Sequence, residues 1–220
     1  PYLEREELPF GAPASMRGRA ATEPPRATPD TVALSWACTQ LSGPARSIVQ
    51  LGGGTGAFAH EAAADPGRSI VCLESDPDAL AWAKSQRAMG NVRYLFEAEL
   101  SALAGGYDLV VALDLIVRRA DFNAFLETCC TLADRAILSA PNRMSRPGRD
   151  TDGPPESDRY VREWSAGEFY WVLRCYYQKV ELFALEDPHV PQLRRISVTS
   201  QFTPLVARCS RPLRRGEGAG

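Results

Sequence analysis

The sequence predicts a doubly wound α/β domain. Three observations predict it. An apolar run, Ile48-Val49-Gln50-Leu51, ends in the glycine cluster Gly52-Gly53-Gly54-Thr55-Gly56, and a helix-like segment follows. A second apolar run, Ser69–Glu74, ends in an acid about 20 residues past the glycines, where a doubly wound fold places a carboxylate for ribose hydroxyls. From there to Ala140, short β-like runs alternate with helical periods, the pattern of a parallel sheet with helices on both faces.

The elements follow in order. Residues 1–27 are rich in Pro, Gly, Ala and charge without a period and read as an irregular arm. Tyr2, Phe10, Met16, Arg17 and Arg19 would let that arm serve as a lid. Pro29-Asp30-Thr31 opens a helix that Gly43-Pro44 stops. Helices are expected at 57–64, 79–88, 122–133 and 166–177. Ser75-Asp76-Pro77-Asp78 supplies a capping side chain and a first-turn proline for the second of these. Strands are expected at Val92–Phe96, 107–114, Arg135–Ala140, 180–185 and 203–209. Residues 141–163 read as a long polar connection, of a length usually associated with function or disorder. The domain is therefore read as 28–210, with a frayed tail at 211–220.

Composition narrows the class. In 220 residues, 45% hydrophobic and 24% charged content are those of an ordinary soluble protein, and the net charge of -2 gives no drive toward nucleic acid or anionic membrane. No apolar run approaches the roughly 20 residues of a membrane span. No basic-then-apolar leader is read at the N-terminus, and the cysteine usage makes a cytoplasmic location the expectation. The six cysteines are scattered, without a C-x-x-C, and read as reduced thiols rather than as a disulfide or zinc framework; no metal site is expected.

The glycine turn reads as a cradle for a nucleoside-bearing ligand, because its backbone can approach the ligand without a Cβ in the way. Two ligands fit. Gly52 to Ala57 satisfies the dinucleotide pattern G-x-G-x-x-G/A. The stretch from Gln50 to Gly56 also resembles motif I of the class I S-adenosylmethionine-dependent methyltransferases. The element order is similar to that family's Rossmann-like fold: five alternating units, a helix, then two strands with the last antiparallel, seven in all. Ala140-Pro141-Asn142-Arg143 and Arg162-Glu163-Trp164-Ser165 resemble steps found in its small-molecule (type 11/12-like) branch.

The resemblance implies roles. S-adenosyl-L-methionine would be the cofactor and S-adenosyl-L-homocysteine the product. Gln50, Gly52, Gly54 and Gly56 would underlie its methionine portion and sugar, and Glu74 would hold the ribose. Ser75 and Asp76 would flank the adenosine. The Glu97-Ala98 step would meet the adenine, with the acid receiving its amino group. Asp114 would line both cofactor and methyl-transfer site. Of the two histidines, His189 is the candidate base or substrate contact and His60 a structural residue; Tyr160 and Glu163 are further candidates. Two departures stand out. Gln50 replaces the acid that opens motif I, and Ile116-Val117-Arg118-Arg119 replaces the family's Glu-His pair.

The implied reaction is methyl transfer to an O or N atom of a small polar metabolite, sugar-like or a natural-product intermediate. No nucleic acid or membrane partner is expected, and the oligomeric state is left open, a homodimer included. The alternatives are an RNA methyltransferase, an NAD(P)-dependent oxidoreductase and a catalytically idle cofactor-binding scaffold. The C-terminal arginines suit the first, but no aromatic-plus-basic module accompanies them and the overall balance is acidic, while the absence of a Tyr-x-x-x-Lys pair counts against the second.

Overall fold

The computed structural model describes residues 29–145, 153–155, 157–187 and 190–213. Helices α1 (Pro29–Ser42), α2 (Ala57–Ala62), α3 (Pro77–Gln86), α4 (Phe122–Leu132) and α5 (Ala166–Arg174) flank one sheet. Its strands are β1 (Ser47–Leu51), β2 (Ser69–Glu74), β3 (Val92–Phe96), β4 (Leu109–Ala112), β5 (Arg135–Ala140), β6 (Tyr177–Asp187), β7 (Val190–Arg195) and β8 (Leu205–Pro212). They lie in the order β3-β2-β1-β4-β5-β8-β6-β7. The pairs from β3 to β5 are parallel, and β8 runs antiparallel between β5 and β6.

Alternation along the strands divides the core. Val49, Leu51, Val110, Ala112 and Leu138 face Leu126 of α4 and Phe169 of α5. Ile48, Ile70, Val111 and Ile137 face Leu34, Phe58 and Leu80 on the other side. Burial on both faces explains why β1, β4 and β5 are near-continuous apolar runs. The order in which strands are added reverses between β1 and β4, which opens a crevice beyond their C-terminal ends. Among the described residues no helix is long and apolar enough to cross a membrane.

Two expectations are corrected. The sheet has eight strands rather than seven, because residues 190–195 form an edge strand against β6. Pro191 lies within that strand, where an edge position tolerates a residue without an N–H. The helix expected to run to Tyr177 ends at Arg174; Tyr177 is fully buried and starts β6. The arm, the tail beyond 213 and residues 146–152 and 156 of the 141–163 connection lie outside the described residues.

The ends of the 141–163 connection are pinned. Asn142 is buried, and its Nδ2 donates to the carbonyls of Ser200 (2.8 Å) and Phe202 (2.9 Å). Its Oδ1 accepts from Met144 N at 3.0 Å, and Arg143 N donates to Trp164 O at 3.0 Å. Trp164 packs edge-on against Phe122, and Ser165 and Glu168 form a reciprocal cap on α5. The Pro-Asn step is thus a junction that locks the β7–β8 connection to the end of β5.

Asn142→Ala removes both carboxamide donors while their acceptors stay in place. Unfolding in urea should show a loss of about 1–3 kcal/mol. An unchanged midpoint would mean that the junction relaxes without cost.

Candidate active site

The crevice is built from four strand ends. After β1, the backbone passes through left-handed conformations at Gly52, Gly54 and Gly56, with φ of 65°, 54° and 76°. Their surroundings differ. A Cβ at Gly56 would lie 2.9 Å from Tyr94 Oη and 3.2 Å from Ala83 Cβ, so that glycine permits close packing on β3 and α3. A Cβ at Gly54 would meet nothing within 4 Å. Of the three motif glycines, Gly54 is the one whose backbone borders open space.

Glu74 ends β2 beside this turn and is 8% exposed. Its Oε2 accepts from Gly54 N, and its Oε1 accepts from Ser75 N and Asp76 N, each at 2.8 Å. Gly53 N also donates to Leu73 O at 2.8 Å. Asp76 caps α3 through Asp78 N and Ala79 N. Ser75 is exposed, its Oγ 3.4 Å from Glu74 Oε1. Gln50 is buried below the turn, where its Oε1 accepts from Cys72 Sγ at 3.6 Å.

On the far side of β1, Asp114 follows β4 with a left-handed φ of 51°. Side chains rarely adopt this region, although the short polar side chain of Asp tolerates it best. Ser139, fully buried in β5, holds it at two points. Asp114 N donates to Ser139 Oγ at 2.9 Å, and Ser139 Oγ donates to Asp114 Oδ1 at 2.7 Å. Burial raises the Asp114 carboxyl above the ordinary carboxylate range, against the opposing pull of the Ser139 hydrogen bond and the Arg118 charge. Burial also raises the Tyr160 phenol, with Asp114 and Glu163 adding to the rise and Arg118 and Arg159 opposing it. The segment carrying Tyr160 is tied down where Val161 N donates to Val117 O at 2.7 Å.

The third acid, Glu97, begins the 3-10 turn Glu97–Ala102 after β3. It forms an ion pair with Arg119, both side chains about a quarter to a third exposed. Ala98 beside it is exposed.

The predicted residues Gln50, Gly52, Gly54, Gly56, Glu74, Ser75, Asp76, Glu97, Ala98 and Asp114 therefore all sit at the C-terminal ends of β1 to β4 or in the turns that follow. His189 lies outside the described residues. Sequence reasoning missed Ser139 and Arg119. Ser139 had a signal, a lone hydroxyl inside an apolar run; Arg119 stood in a stretch noted only as a departure, with nothing to pair it with Glu97. A separate concavity of about 1140 Å³ lies at the opposite, N-terminal ends of the strands, beside Ala45, Asp108 and Arg135, and shares no residue with this cluster.

The chain matches no protein-family model and no curated protein. Solved structures do match. The methyltransferase domain of bacterial CtHen1 has a TM-score of 0.61 at 16% identity, over 83% of this chain and 100% of that one. The N-terminal domain of EvdMO1, crystallised with SAH and D-fucose, has a TM-score of 0.59 at 18% identity, over 86% and 84%. Magnesium protoporphyrin IX methyltransferase from Synechocystis PCC 6803, with bound SAH, has a TM-score of 0.56 at 17% identity, over 83% of each chain. This is the class I methyltransferase fold. Within that fold, β8 corresponds to the expected antiparallel last strand, and β7 is an addition at the sheet edge.

The raised Asp114 carboxyl has a consequence for stability. The folded chain binds this proton more tightly than the unfolded chain, whose value is near 3.8. The corresponding stability is present below that value and is lost as pH rises through the folded one. Asp114→Asn removes the cost of the buried charge and keeps an acceptor for Ser139. It should melt above wild type at neutral pH, with the gap shrinking as pH falls toward 4. A gap independent of pH in thermal melts would contradict the assignment.

Proposed function

We propose that the chain is an S-adenosylmethionine-dependent methyltransferase whose acceptor is an O or N atom of a small polar metabolite. One observation carries the reading: open backbone at Gly54, the carboxylates of Glu74 and Glu97, and the base candidate Asp114 border one crevice at the reversal point of the sheet. These residues suit the cofactor. Gly54 leaves room for a ligand against the main chain. Glu74 Oε2 accepts one protein hydrogen bond and keeps capacity for a ribose hydroxyl. Glu97 can accept from an amino group on the purine. Gln50 below the turn offers polarity without charge.

When bound, the cofactor supplies an already activated methyl group, so the protein's task is to hold a nucleophile in line and at close range. Asp114 can take the proton of a hydroxyl or ammonium acceptor. Its raised carboxyl lies closer to such groups than an ordinary carboxylate does, which favours proton transfer. Ser139 fixes the orientation of that carboxylate. Tyr160, Glu163 and Arg118 are electrostatically coupled to one another or to Asp114, and in this reading such polar and charged groups suit a polar acceptor better than a flat apolar one. The EvdMO1 domain solved with SAH and D-fucose has the same fold and supports a sugar-like class. The arm at 1–27, read as a lid, and His189, read as a base or substrate contact, lie outside the described residues.

Calorimetry separates the cofactor readings. S-adenosylhomocysteine should bind and NAD should not; tight NAD binding with no response to S-adenosylhomocysteine would overturn the proposal.

Glu74 supplies a second test. Three backbone donors make this strand-end acid structural as well. Glu74→Gln should therefore weaken S-adenosylhomocysteine by about 1.5–3 kcal/mol and also lower the melting temperature. Unchanged affinity in the folded variant would take Glu74 out of the site.

A further inference from the structure

We propose that Arg119 competes with the purine amino group of the cofactor for Glu97, and so sets both cofactor affinity and its salt dependence. The inference rests on the cofactor reading above. Arg119 and Glu97 come from different strand ends, after β4 and after β3, and form an ion pair at the rim of the crevice. The neighbouring acid, Glu99, is engaged in its own turn, where Oε1 accepts from Phe96 N at 2.9 Å. Glu97 is the acid of this turn that Arg119 engages.

The hold on Arg119 is partial. Its backbone is fixed by a hydrogen bond to Ile116 O at 3.2 Å. Its Nε is buried without a hydrogen-bond partner, so the guanidinium is not locked by a complete set of contacts. A partly exposed pair of this kind contributes little and is screened by salt. An amino group arriving at the same oxygen, Glu97 Oε1, must displace Arg119 Nη2 from it. Displacing the arginine thus subtracts from binding, by an amount that vanishes when the pair is screened.

The test uses S-adenosylhomocysteine and its inosine analogue, whose purine carries a carbonyl in place of the amino group and cannot donate to Glu97. Arg119→Gln should bind S-adenosylhomocysteine about two- to fivefold more tightly than wild type at low salt. The difference should close at high salt, and the inosine analogue should show no gain. Glu97→Gln removes the pair from the other side. It should weaken S-adenosylhomocysteine, spare the analogue and abolish the salt dependence. Thermal melts establish that each variant is folded. Unchanged or weaker binding of S-adenosylhomocysteine by Arg119→Gln overturns the proposal, as does an equal gain for both ligands. Wild type and variant both failing to bind S-adenosylhomocysteine overturns the cofactor reading and this inference with it.

Discussion

One buried carboxylate holds the crevice together. Glu74 accepts from Gly54 in the turn after β1 and from Ser75 and Asp76 in the turn after β2. A buried charge without such partners would be costly, and hydrogen bonds to an ionised acceptor are among the stronger ones in a protein. The β1–β2 register, Leu51 opposite Leu73, brings Glu74 beside the glycine turn. The two turns therefore behave as one body. Any ligand that takes a share of Glu74 acts on both at once.

The other half of the crevice rests on a different device. Asp114 is held in a left-handed conformation by a single serine from the next strand, which accepts from its backbone and donates to its side chain. Parallel pairing of β4 with β5 carries Ser139 to that position. The same stretch of chain then runs into the turn at 116–118, whose Val117 carbonyl anchors Val161 and Arg162. Acceptor-side residues and strand-end acid are thus linked through one short segment.

Much of this was legible in the sequence. The bounds of β2, β3 and β5 match their apolar runs, because buried parallel strands leave little room for other residues. The glycine spacing marked the turn, and the acids at strand ends marked its neighbours. What stayed hidden depends on contacts across the sheet. Whether a glycine faces a ligand or a tyrosine is decided by Tyr94, distant in sequence from Gly56. The Arg119–Glu97 pair joins two separate loops. Strand β7 was missed because an edge strand needs neither a continuous apolar run nor every backbone donor.

The placement of β8 has a further consequence, for the order of assembly. Strands β6 and β7 pair with each other, but the ribbon joins the rest of the sheet only through β8. The sheet cannot close before residues 205–212 have been synthesised. Until then the free edge of β5, ending in Leu138 and Ala140, and the edge of β6 that carries Leu182 and Ala184 both offer unpaired backbone beside apolar side chains. Open edges of this kind invite pairing with other chains. The interval between making β5 and making β8 is accordingly the time at which the nascent protein is most exposed to aggregation.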